Sequence, residues 1–92
     1  MRTILVTGAT DGLGRHLAVR LGQGGARVLV HGRNAAKAAA VRDEVAAAGG
    51  PDPAVVVANL ADLRAVDRLA DDVAALTPRL DVLVNNAGVG FG

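Results

Sequence analysis

Apolar residues along this chain of 92 gather in four short runs, Thr3 to Val6, Arg27 to His31, Ala54 to Ala58 and Asp81 to Asn85, each bounded by Gly, Pro, Asp or Asn. Short runs that stay apolar without in-out alternation predict strands buried on both faces. Three segments of another period lie between them: Gly14 to Gln23, Ala35 to Ala48 and Asp62 to Thr77. The last is the clearest helix. Leu63, Val66, Leu69, Val73 and Leu76 recur at three- and four-residue steps, while Arg64, Asp67, Arg68, Asp71 and Asp72 fall elsewhere on the wheel. That stripe is expected to face a sheet. The alanine-rich middle helix has a weak stripe, with Val41 and Val45 as its only large apolar residues. Punctuation agrees: Gly24-Gly25, Gly49-Gly50-Pro51 and Pro78 follow the helices, and Asn34 stands where an N-cap would start the second.

Strict alternation of strand and helix predicts an α/β unit, βαβαβαβ, built on a parallel sheet. Right-handed crossovers and one reversal of direction after strand 3 give the strand order 3-2-1-4, with the first two helices on one face and the third alone on the other. This is a truncated, Rossmann-like, doubly wound sheet. One face is half bare, and strand 4 is an apolar edge open to self-association. No linker, repeat or second domain interrupts residues 1–92.

Composition narrows the partners. Ten basic residues against nine acidic give a net charge of +1, and the charges are scattered, so neither nucleic acid nor an anionic membrane is an expected partner. The absence of cysteine removes disulfides and thiolate metal sites, and His16 and His31 lack ligand spacing, so no metal site is expected. The N-terminal apolar stretch, Ile4-Leu5-Val6, is shorter than the roughly 7 residues a signal peptide needs. No run approaches the roughly 20 residues of a membrane span. The expected location is the cytoplasm.

Chemistry concentrates after strand 1, in Thr7-Gly8-Ala9-Thr10-Asp11-Gly12-Leu13-Gly14. Backbone N–H groups and the dipole at a helix N-terminus favour an anion there. Gly8 permits a tight exit from the strand, Gly12 leaves room for a diphosphate to approach, and Gly14 lets helix 1 pack closely. A turn whose glycines serve backbone geometry alone is the plainer alternative. The P-loop pattern is absent, and the only lysine, Lys37, lies in helix 2. After strand 2, where an acid would hold the ribose of NAD, stand His31-Gly32-Arg33-Asn34. Arg33 offers a permanent cation suited to a 2′-phosphate, which favours NADP over NAD, unless it is a solvated arginine in a turn supplied by Gly32. Asp11 places a negative charge near those phosphates.

The glycine loop, Gly32-Arg33 and Asn85-Asn86-Ala87-Gly88 after strand 4 together resemble the short-chain dehydrogenase/reductase family, and the glycine spacing fits its dehydrogenase-type branch. The resemblance implies that Gly8, Thr10, Asp11, Gly12, Leu13 and Gly14 line the diphosphate and Arg33 the adenosine phosphate. It further implies that Asn59 and Leu60 flank the adenine, and that Asn86, Ala87 and Gly88 line the ribose side. Asn59 replaces the family's usual Asp, though its carbonyl still accepts a hydrogen bond. Asn59 could equally cap the following turn, and Asn85 or Asn86 could satisfy backbone groups after strand 4. The family's catalytic Ser and Tyr-x-x-x-Lys have no counterpart, since the 92 residues contain neither tyrosine nor serine. The chain therefore reads as the N-terminal, cofactor-binding part of an NADP-dependent oxidoreductase, inactive at this length and with no catalytic residue of its own. The alternative is a non-catalytic nucleotide-binding or interaction module that works as a short chain.

Overall fold

β-branched residues and leucine dominate the strands, and alanine the helices, and each segment adopts the state its residues favour. The computed structural model describes residues 1–86. The elements are β1 (Thr3–Val6), α1 (Gly12–Gln23), β2 (Arg27–Gly32), α2 (Ala35–Ala47), β3 (Ala54–Val57), α3 (Leu63–Leu76) and β4 (Val82–Val84). The four strands form one parallel sheet in the order β3-β2-β1-β4, as the alternation predicts. Leu5 pairs with Leu29 on one side and Leu83 on the other, so β1 is central.

The two faces of the sheet separate residue by residue. Ile4, Val6, Val28 and Val30 bury against Ala18 of α1 and Ala38, Val41 and Val45 of α2. Leu5, Leu29 and Val56 bury against Ala65 and Leu69 of α3. The weak stripe of α2 suffices because Val45 seats against glycine: a Cβ on Gly22 or Gly50 would lie 2.6 or 2.5 Å from its Cγ1. Small residues let the elements approach, and two valines then fill the gap.

Two expectations are corrected. α1 begins two residues before Gly14, because the chain turns into the helix directly after Asp11, whose carbonyl accepts from the Arg15 N–H at 3.3 Å. On α3 the apolar stripe is only partly covered: Leu69 is buried, but Leu63 is 82% and Val66 37% exposed. Ala65 of the same first turn is buried with Leu69, whereas Leu63 lies about 120° from Leu69 round the helix and so falls at the edge of the stripe, away from the sheet. Leu83 of β4 is likewise 57% exposed, in keeping with an apolar edge strand. Among the described residues no helix is long and apolar enough to cross a membrane.

Candidate functional site

In a parallel sheet every strand ends at the same edge, so the loops after β1, β2 and β3 meet there. Gly8, Thr10 and Asp11 from the first loop, His31, Gly32 and Arg33 from the end of β2, and Asn59, Leu60 and Ala61 after β3 line one cleft of about 430 Å³. Six of the residues singled out in the sequence are thus brought together. Gly12, Leu13 and Gly14 form the first turn of α1, at the end of the same loop. Asn86 stands behind the loop, and Ala87 and Gly88 lie outside the described residues.

The glycine loop is held from several sides. The Thr7 N–H donates to the Val84 carbonyl at 3.0 Å, and the Ala9 N–H to the His31 carbonyl at 2.9 Å. Between them the Gly8 N–H donates to His31 Nδ1 at 3.0 Å, and Asn86 Nδ2 donates to the Gly8 carbonyl at 3.0 Å. Gly8 has φ +61°, a conformation that costs L-residues with a side chain on the order of 1 kcal/mol. A Cβ on Gly14 would lie 2.3 Å from the Gly8 carbonyl oxygen and 2.4 Å from Asn86 Nδ2, so the bare Gly14 admits α1 against the loop itself. Gly12, at φ +55°, has nothing within 4 Å of its missing Cβ and faces open space.

The N-terminus of α1 differs from the other two. Asn34 caps α2 by accepting from the Lys37 N–H at 3.0 Å, and Asp62 caps α3 by accepting from the Arg64 N–H at 3.0 Å. Asp11 makes no such bond, so no side chain caps the first turn of α1. The N–H groups and the positive dipole end of such a terminus favour an anion. On the outer side, Arg15 pairs with Glu44 through two hydrogen bonds and ties α1 to α2; this contact holds the guanidinium above its ordinary pKa.

Beside the cleft, Thr10, Asp11, Arg33, Asn34, Lys37 and Asn59 line a second space of about 500 Å³. Arg33 is exposed and has no ion-pair partner among the described residues, whereas Lys37 Nζ stands 4.0 Å from Asp11 Oδ2. The charge Asp11 brings is therefore partly offset. Lys37 was passed over in the sequence because it fits no P-loop; the signal was its place three residues after the Asn34 cap. Gly32 does not supply the turn of the plainer alternative for Arg33: it ends β2 without a positive φ, and a Cβ there would meet Thr10 Cγ2 at 2.4 Å. Asn59 takes up the turn role, its Oδ1 accepting from the Ala61 N–H at 3.1 Å, while its residue also lines both spaces. Asn85 Oδ1 accepts from the Thr7 hydroxyl at 3.3 Å. His31, 2% exposed, went unnoticed as a site residue because one imidazole in an apolar strand gives no spacing to read.

Comparison with known proteins agrees with this arrangement. The family model "short chain dehydrogenase" matches residues 2–92. Retinol dehydrogenase 14 of Mus musculus is 41% identical over 99 aligned positions, covering 96% of this chain and 30% of its own length. A metagenomic short-chain oxidoreductase solved in complex with NADP is 42% identical, with a TM-score of 0.88 over 98% of this chain and 40% of that one. The RhlG/NADP active-site complex of Pseudomonas aeruginosa is 37% identical, with a TM-score of 0.89 over 99% of this chain and 35% of that one. The chain spans about a third of the length of such relatives. By sequence and by fold, the chain belongs to the short-chain dehydrogenase family.

Proposed function

We propose that residues 1–92 form a partial dinucleotide-binding domain of an NADP(H)-dependent oxidoreductase acting in the cytoplasm. The observation that carries this reading is the convergence of an uncapped α1 N-terminus, the Gly8–Gly14 loop and Arg33 on one edge of the sheet. The open space at Gly12 and the lack of a side-chain cap on α1 fit a diphosphate, and Arg33 with Lys37 fits a 2′-phosphate. Gly8, Thr10, Asp11, Gly12, Leu13 and Gly14 would hold the diphosphate, and Asn59 and Leu60 the adenine. Asn86, Ala87 and Gly88 would serve the ribose side, where Asn86 acts through the Gly8 carbonyl. Such a cofactor supplies hydride to, or takes it from, a carbonyl or alcohol. These 92 residues, without tyrosine or serine, bind and orient it and perform no turnover alone.

Fluorescence titration with NADPH and NADH tests the reading, with NADPH expected to bind more tightly. Replacing Arg33 with Ala is expected to weaken NADPH roughly ten- to hundredfold, the worth of a charge-assisted phosphate contact, and to leave NADH within about twofold. Equal or tighter binding of NADH by the unaltered chain removes the role of Arg33. A second reading, a short non-catalytic interaction module, draws on the exposed Leu83 and the open edge of β4; its measurement is the oligomeric state.

A further inference from the structure

His31 is the most deeply placed titratable side chain at the cleft, 2% exposed, and both ring nitrogens are engaged. Nε2 lies 2.9 Å from the Ala58 carbonyl, which can only accept, so Nε2 carries the proton. Nδ1 is then a bare lone pair, and it receives the Gly8 N–H at 3.0 Å. One neutral imidazole thereby joins the exits of β1 and β3 from its place on β2, and it fixes the N–H of the glycine whose carbonyl is gripped by Asn86. We propose that His31 is a positioning residue for the glycine loop, one whose neutral form holds Gly8 in the geometry that receives the diphosphate and whose protonation releases it.

Protonated Nδ1 would face the Gly8 N–H donor to donor, and a buried cation would stand between two groups it cannot both satisfy. Dinucleotide binding and proton binding at His31 therefore oppose each other, a coupling that rests on the dinucleotide reading above. The affinity gained from the ordered loop is present while His31 is neutral and is lost as pH falls through its protonation. The other charged groups around the ring are few. Asp11 on the β1 loop and Arg33 after β2 line the same cleft, Lys37 of α2 pairs with Asp11, and the β3 exit brings no charged side chain to the lining. His16 of α1 lies near Gly12, but its effect has the opposite sign, since protonating it adds positive charge beside an anion.

The test is NADH affinity of the unaltered chain between about pH 8 and about pH 5.5, read by fluorescence. NADH is the probe because it lacks the 2′-phosphate, a group of the kind that itself titrates near about pH 6. Affinity is expected to fall on acidification, approaching about tenfold per pH unit where the free chain binds a proton and the complex does not. His31→Asn, which keeps an acceptor near the position of Nδ1 and cannot titrate, is expected to lose the acid dependence, the ratio of its NADH affinities at the two ends of the range approaching one whatever its affinity at pH 8. Nitrogen NMR on the unaltered chain reads the same geometry without a variant: Nδ1 unprotonated and coupled across the hydrogen bond to the Gly8 amide at pH 8. A flat pH profile, an acid dependence that persists in His31→Asn, or a proton resident on Nδ1 overturns the coupling alone. Failure of both NADH and NADPH to bind at pH 8 overturns the dinucleotide reading, and the coupling with it.

Discussion

Gly14 and Gly12 share one loop and need glycine for different reasons. At Gly14 a methyl group would sit 2.3 Å from a backbone oxygen, which cannot move aside as a flexible side chain would. Gly14→Ala should cost about 1–3 kcal/mol of stability in urea titration, as overpacking does, and should abolish NADPH binding by displacing Gly8 or α1. Gly12→Ala meets no protein atom and carries only the strain of a positive φ, about 1–2 kcal/mol, but its methyl group enters the space proposed for the diphosphate, so it too should weaken NADPH binding while α1 stays packed on the loop. The glycine spacing made these positions legible in the sequence, while the partner of Gly14 was not, because Asn86 is brought there by β4 from the far end of the chain. Gly32 is tied to a distant partner in the same way. Its constraint is the methyl group of Thr10, which no local rule about turns reveals.

Helix ends divide into those that the chain caps for itself and one that it does not. Asp62→Ala and Asn34→Ala each remove an N-cap hydrogen bond and should lower stability by about 0.5–2 kcal/mol, measured as a shift of the urea midpoint. Asp11→Ala removes no cap bond and should fall below that range. A loss at Asp11 equal to that at Asp62 would mean that the α1 terminus is already satisfied by its own side chain. Asn34 was recognised as a cap in the sequence because Asn before an alanine-rich segment is a local signal. The reach of the α3 stripe was not. Helical periodicity states that the stripe runs from Leu63 to Leu76, with Leu63 about 120° round the wheel from Leu69, but which part of so broad a stripe meets the sheet depends on how α3 docks on β3 and β1.

At the scale of the molecule, strand order and the division of the helices between the two faces followed from alternation and handedness, which leave few topologies to choose among. The bare region was legible too, and the structure gives it a shape. Leu5, Leu60, Val66, Leu69 and Leu83 line an apolar groove between α3 and β4, beside an edge of that strand that pairs with no further strand among the described residues. Apolar surface next to unpaired backbone favours association of edges. Sedimentation of the chain should therefore show concentration-dependent self-association, and Leu83→Lys should shift it toward monomer by setting a charge on the edge. A chain that stays monomeric at every concentration would remove self-association from the account. The location of the edge is physical; what lies against it in relatives three times as long is a matter of residues beyond these 92.

The central place of β1 has a kinetic meaning. Its pairing with β2 closes a short stretch of chain, but Ile4 meets Val82 only after the whole intervening polypeptide has been gathered in. Contacts this distant form slowly, because the entropy of the closed loop is lost before the contact repays it. The Thr7 to Val84 bond and the Asn86 clasp on Gly8 belong to that last event. During synthesis the glycine loop leaves the ribosome well before β4, the strand that completes its shape.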